Sequence, residues 1–187
     1  MDGHFANPES DSDTDVGSDA HLLAAARRGD RTAFAALYRR HSPAVFGLAL
    51  RVLGERSAAE DVVQDVFLRA LDRIDSLRDG ERLAAWLKRS AANASIDLIR
   101  QRRPQAGPEA LDALEDAAPD PADIDRLPAL LDGLPTTTRA LLWLFVVEGW
   151  THPELAARFG RSESWSKSII SRVLQQLKTR AATDPPT

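Results

Sequence analysis

The stretch Ser57-Ala-Ala-Glu-Asp-Val-Val-Gln-Asp-Val-Phe-Leu-Arg-Ala-Leu-Asp-Arg-Ile74 decides how the chain is read. Ser57 followed by Glu60 predicts a capping box, so a helix is expected to begin there. Ala59, Val62, Val63, Val66, Phe67, Ala70, Leu71 and Ile74 recur at helical spacing and predict one wide apolar face. The opposite side carries Asp61, Asp65, Leu68 and Asp72, with Gln64 beside them. A solvated face normally mixes both signs, yet here only Arg69 offers an i,i+4 partner, to Asp65. An acidic row with one apolar knob suits docking against a basic partner surface. Taken by itself, the row fits a solvated helix with a single exposed leucine equally well.

Outward from this helix, the chain of 187 residues has room for one medium domain or two small ones. It has no cysteine, which excludes disulfides and thiolate metal sites and fits a reducing cytoplasm. No apolar run approaches the roughly 18 residues that cross a bilayer. The acidic N-terminus lacks an apolar segment and does not read as a signal peptide. Alternation and β-branched runs are scarce, so the expected fold is all-α.

The net charge of −4 conceals a segregation. Acids outnumber bases by six in residues 1–20 and by seven in residues 104–132. Bases outnumber acids by six in residues 21–103 and by three in residues 133–187. Two basic helical domains are therefore expected, preceded and separated by acidic segments. Residues 1–19 read as a disordered acidic tail, 20–103 as the first domain, 104–125 as a flexible acidic linker and 126–182 as the second domain. The tail reads more simply as a solubilising segment than as an arm competing with DNA.

In the first domain, His21 to Arg28 predicts a short helix stopped by Gly29, and Asp30 or Thr32 caps the next. Ser42-Pro43 either opens a fresh helix or lies within a kinked one, and Gly54 ends that run. After an Asp79-Gly80 turn, a helix is expected from about Arg82 to Arg103, ended by Pro104. Its inner side carries Leu83, Leu87, Ala91, Ala94 and Leu98. Its outer side carries Arg82, Trp86, Arg89, Asn93, Asp97 and Arg100, with Lys88, Arg102 and Arg103 close by. Cations neutralise phosphate, an amide reads a base edge and an aromatic stacks on an exposed base. Trp86, by its size, reads more simply as packing under the preceding loop.

In the second domain, Thr136 to Thr138 cap a helix holding the apolar run Leu141 to Val147. Thr151 and Glu154 predict a capping box, Gly160 a stop and Ser162 a new start. Two helices around a short Gly-containing turn read as a helix-turn-helix. Trp165, Ile169, Ile170, Val173, Leu174 and Leu177 are expected to be buried on its second helix. The arc expected to face a major groove holds Ser164, Lys167, Ser168, Ser171, Arg172 and Gln175, with Ser162 at the turn. Helical hairpins that bind no DNA share this pattern.

The combination resembles an extracytoplasmic-function (ECF, group 4) RNA polymerase sigma factor of the sigma-70 family. The residues that carry it are Ala59 to Leu68, Ala85-Trp86-Leu87 with Asn93 and Asp97 to Arg100, Leu134-Pro135 with Arg139, and Glu154-Leu155-Ala156 through Gly160 to Lys167-Ser168. The resemblance covers about residues 20–103 and 126–180. It implies a transcription-initiation factor, not an enzyme, that works in the cytoplasm with bacterial core RNA polymerase and promoter DNA, double- and single-stranded. It implies core-polymerase contacts through Asp61, Gln64, Asp65, Leu68 and Asp72, on the coiled coil of the largest subunit. Recognition of the −10 element would fall to Trp86, Arg89, Asn93, Asp97, Arg100, Arg102 and Arg103, with a non-template base flipped near the asparagine. Recognition of the −35 element would fall to Ser162, Ser164, Lys167, Ser168, Ser171 and Arg172. The linker would thread the polymerase channel that later carries RNA. An anti-sigma partner is left open. Where the family commonly shows Gly-Thr-Val-Lys-Ser-Arg, this chain has Ser164-Trp165-Ser166-Lys167-Ser168-Ile169, which leaves its −35 preference unassigned.

Enzymatic readings find no support in these residues. His4, His21, His41 and His152 are isolated, with His41 expected exposed near a helix end and His152 in a first helical turn. No Gly-rich phosphate loop is present, and the serines of Ser162 to Ser171 have no adjacent histidine base. No catalytic residue, metal or cofactor is expected. The competing classes are an autonomous helix-turn-helix regulator and a helical interaction module, for example for a sequestering regulator.

Overall fold

A computed structural model describes residues 17–77, 82–102, 131 and 133–183, with side chains as far as 176. The acidic tail through Val16, the Asp79-Gly80 turn, Arg103, the whole linker and the Leu177 side chain lie outside the described residues. All regular structure among the described residues is helical: α1 (Asp19–Arg27), α2 (Arg31–Leu53), α3 (Arg56–Asp72), α4 (Leu83–Arg102), α5 (Thr136–Val146), α6 (His152–Phe159) and α7 (Glu163–Thr183).

Local chemistry sets the boundaries. Ser18 accepts from the His21 amide at 3.3 Å and opens α1. Asp30 accepts from the amides of Thr32 and Ala33 at 2.8 and 3.1 Å and opens α2, satisfying two donors that no carbonyl reaches. Of the two readings of Ser42-Pro43, the continuous helix is the observed one, with Pro43 inside α2. Pro43, which has no amide hydrogen to give the Arg39 carbonyl, and Arg39 itself both lie on the exposed side of α2. His41 therefore lies in mid-helix rather than exposed near an end. It is half-buried, with Nε2 2.7 Å from Asp19, and Arg40 reaches the same carboxylate at 2.6 Å. These two side chains tie α1 across α2.

The capping box expected at Ser57 does not form. Helix α3 begins at Arg56 with Glu55 at the cap position and no side-chain cap bond. Ser57 is already helical and its hydroxyl donates to Glu55 at 2.8 Å, while Glu60 pairs with Arg56 at 2.9 Å. The reason is tertiary: Arg102, at the end of α4, binds the other oxygen of Glu55 and fixes the cap position two residues earlier. The bond from Arg102, followed by that from Ser57, holds the Glu55 carboxyl below the usual carboxylate range.

Helices α1 to α4 enclose Leu23, Leu37, Val52, Val66, Phe67, Leu87 and Ile96. Phe67 meets Phe34 edge-on at 6.4 Å and Tyr38 at 4.7 Å. Helices α5 to α7 enclose Leu141, Leu142, Leu144, Leu155, Trp165, Ile170 and Leu174. Helix α5 also packs on α2 and α4, so the buried cluster runs continuously through both lobes. Arg51 of α2 lies 5.7 Å from the Trp143 ring of α5.

At Gly54 the backbone of the first lobe lies close against Arg139 of the second. Gly54 ends α2 at φ +72°, where an L side chain is strained, and a Cβ there would come within 1.5 Å of Arg139 Nη1. Arg139 is not free to yield, because it donates to the carbonyls of Leu131 and Leu134 at 3.2 and 3.3 Å. Gly54→Ala is expected to cost about 2 kcal/mol, from the left-handed cap and the displaced arginine together. Urea unfolding monitored by circular dichroism measures it, and an unshifted midpoint would mean that Arg139 swings aside without loss.

Candidate functional site

Helix α3 is held by a buried arc of Ala59, Val62, Val63, Val66, Phe67 and Ala70. That arc fixes the opposite ridge outward: Asp61, Gln64, Leu68 and Asp72 are exposed, and Asp65 is half-buried. Arg69 pairs with Asp65 at 2.7 Å, as the i,i+4 spacing predicted. Leu68 is 62% exposed. Leu71 was expected in the core and is instead 47% exposed. In the last turn of α3 the buried arc narrows to Ala70 and the half-buried Ile74, so Leu71 turns outward beside Leu68. The i,i+3 relation between the two leucines was the available signal. The ridge is thus acidic along its length with an apolar pair near its C-terminal end. Asp61 and Asp65 also line a shallow groove shared with Asp97 and Leu98 of α4.

Helix α4 is buried along Leu83, Leu87, Ala91, Ile96 and Ile99, with Leu98 only partly covered. Its outer stripe is present, with Arg82, Arg89, Arg100 and Arg102 exposed and Trp86, Asn93 and Asp97 half-buried. Trp86 is half-buried and packs against the core, while most of the preceding loop under which it was expected lies outside the described residues. The second lobe meets this stripe directly. Arg89 pairs with Glu154 at 2.8 Å and lies 3.6 Å over the Trp150 ring. Arg158 donates to Asp97 at 2.6 Å and to the Asn93 carbonyl at 3.1 Å. Arg100 donates to the Arg158 carbonyl at 3.4 Å, and Lys88 lies 3.6 Å from Glu148.

The helix-turn-helix is built as the capping chemistry requires. The Thr151 hydroxyl accepts from the Glu154 amide, and the Thr151 amide donates back to Glu154 Oε2 at 2.8 Å. Bonds from the Thr151 amide and hydroxyl, with a smaller contribution from Arg89, hold the Glu154 carboxyl below the usual carboxylate range. Gly160 ends α6 at φ +64°, and Ser162 accepts from the Trp165 amide at 3.2 Å. His152, placed in the first turn as expected, is half-buried, stacks on Phe145 at 4.5 Å and lies 3.0 Å from the Ser166 hydroxyl.

The face of α7 departs from the helical count. Ser162, Ser164, Arg172 and Gln175 are exposed, and Lys167 is half-exposed and pairs with Glu163 at 3.1 Å. Ser168 and Ser171 were expected to face the groove and are buried, at 3% and 2% exposure. Ile169 was expected in the core and is only partly covered. Helix α7 packs against both α5 and α6, which widens its buried arc, and small serines fit where the neighbouring helices come close. Trp165 is buried and contacts Phe159 at 5.5 Å, so the bulky residue of the expected core arc does enter the core.

The sequence matches two protein families, Sigma-70 region 2 over residues 37–105 and Sigma-70, region 4 over residues 124–177. The chain is 33% identical to the ECF RNA polymerase sigma factor SigE of Mycolicibacterium smegmatis over 152 residues, covering 76% of this chain but 59% of that one. It is 34% identical to the ECF RNA polymerase sigma factor SigM of Mycobacterium tuberculosis over 166 residues, covering 86% of this chain and 83% of the relative. Among solved structures it is similar to CnrH, determined in complex with the cytosolic domain of CnrY. There the identity is 30%, the coverage 90% of this chain and 99% of CnrH, and the TM-score 0.49. The chain belongs to the sigma-70 family, as an ECF RNA polymerase sigma factor. No helix among the described residues is long and apolar enough to cross a membrane.

Proposed function

We propose that the chain docks on core RNA polymerase through the α3 ridge, engages the −10 element through α4 and reads the −35 element through α7. In this reading residues 20–103 form the polymerase and −10 domain, residues 126–182 the −35 domain, and the chain works in the cytoplasm without catalysing a reaction itself. The observation that carries it is the ridge of α3. A rigid helix, buried on one side, presents Asp61, Gln64, Leu68 and Asp72 to solvent, with Leu71 as a further apolar contact. Such a row attracts a basic surface by charge and anchors on it through the two leucines. On α4, Arg89, Arg100 and Arg102 supply phosphate contacts, Asn93 supplies the amide for a base edge, and Asp97 and Trp86 flank it. On α7 the reading keeps Ser162, Ser164, Lys167 and Arg172, the residues with solvent-facing surface.

A gel shift on promoter DNA, with and without core polymerase, separates this reading from its rivals. Specific binding only with polymerase supports it, binding by the chain alone favours an autonomous regulator, and binding in neither case favours an interaction module. Asn93→Ala is expected to lower opening of a −10-containing promoter about tenfold, the cost of one lost base contact, while polymerase affinity stays unchanged. Permanganate footprinting and a pull-down read the two quantities, and equal losses in both would count against base reading.

A further inference from the structure

Ser166 is wholly buried on α7, at 0% exposure, where the family commonly shows valine. A hydroxyl withdrawn from water needs a partner, and this one meets Nδ1 of His152 on α6 at 3.0 Å. The ring of His152 is itself held from two sides. It stacks on Phe145 of α5 at 4.5 Å, with 27° between the planes. It also sits in the first turn of α6, which the capping box of Thr151 and Glu154 fixes. His152 thus joins α5, α6 and α7 at one point.

That point lies among the residues that α7 turns outward. Ser164 is exposed two positions before Ser166, Lys167 is half-exposed beside it and Arg172 is exposed further along. The neighbouring Trp165 packs on Phe159 at 5.5 Å, an apolar contact that sets how deeply α7 sits. Its area constrains rotation weakly, whereas a hydrogen bond is directional. On a helix of about 5 Å outer radius, a roll of about 20° moves a side-chain tip by about 2 Å, enough to break a bidentate contact to a base edge. We propose that His152 is a positioning residue for −35 recognition: its bond to Ser166 fixes the rotation of α7 about its own axis and so decides which base edges Lys167 and Arg172 meet. In this role His152 acts through α7 rather than on DNA directly. The proposal rests on the reading of α7 as the −35 surface. It is separable from folding, because Ser166→Ala removes the hydroxyl without leaving an unsatisfied group at position 166, and the half-buried ring of His152 stays within reach of water.

The test uses the full chain assembled with core RNA polymerase. The probe is a library of duplexes built on one promoter that this holoenzyme transcribes in a run-off assay, randomised only across the −35 segment. Sequencing the retained DNA gives the ratio between the preferred −35 sequence and the library median. Ser166→Ala is expected to shrink that ratio about tenfold, the worth of one base-pair contact, with the urea midpoint and the polymerase affinity unchanged. His152→Asn keeps a polar atom close to the place of Nδ1 and is expected to stay within about threefold of the parent. Ser95→Ala removes another fully buried hydroxyl, on α4 and without a partner, and is expected to leave the ratio within about twofold. A ratio unchanged by Ser166→Ala overturns the proposal. So does a His152→Asn chain that loses as much as Ser166→Ala, since the bond would then not be what matters. A urea midpoint that falls in step with the ratio makes the pair a prop of the fold alone and overturns it too. Lys167→Ala with Arg172→Ala distinguishes the two levels. If that pair leaves the preference intact, α7 does not read the −35 element and both readings fall. If it erases the preference while Ser166→Ala matches the parent, only the positioning role falls.

Discussion

Asp61→Arg combined with Asp65→Arg is expected to abolish binding to core RNA polymerase, weakening it by more than about a hundredfold, with helicity unchanged. Reversing two charges in a complementary contact replaces attraction by repulsion at both sites, and upwards of about 3 kcal/mol is the corresponding loss. The fold should tolerate the change. Asp61 is exposed and Asp65 half-buried, and among the described residues the ion pair lost is the i,i+4 bridge from Asp65 to Arg69, worth a few tenths of a kcal/mol. A pull-down with purified core polymerase reads the affinity and far-ultraviolet circular dichroism reads the helicity. Retained affinity with intact helicity would remove the ridge from the interface. Loss of both would mean that the substitutions acted on folding.

Leu87→Ala is expected to destabilise the chain by about 3 kcal/mol, a large share of the total for a domain of this size. Leu87 is 1% exposed on α4 and belongs to the core cluster it shares with the other helices of the first lobe. With Leu23 of α1, Leu37 of α2 and Phe67 of α3 it lines a small apolar void of about 10 Å³. Truncation enlarges that void where side chains of the four helices pack against one another, so relaxation is limited. The readout is the urea midpoint at constant slope. A loss below about 1 kcal/mol would show that the four helices collapse around the gap, within the range that well-accommodated truncations reach.

Much of this molecule is legible in the chain because its information is local. Periodicity located the helices, and Asp30, Gly54, Thr151 with Glu154, Gly160 and Ser162 act at the ends where they were read. The exposed acids of α3 follow from the same count, since a helix with a continuous apolar arc must turn its other side outward. Where the reading failed, a neighbour outweighed the local signal. Ser57 lost its cap role because Arg102, 47 residues away from Glu55, holds Glu55 instead. His41 moved from an exposed end to a half-buried pair because Asp19 lies across the helix from it.

By itself, then, the sequence determined an all-helical chain, the segregation of charge along it and the family to which it belongs. These depend on residue order at separations of three and four, which a helix converts directly into faces. Only the tertiary structure decided that Leu71 joins Leu68 on the surface, that Ser168 and Ser171 turn inward, and that Glu154 and Arg158 lie on the outer stripe of α4. The reason is geometric: packing between helices far apart in the chain fixes how wide each buried arc is and which charges meet, and no periodicity encodes that.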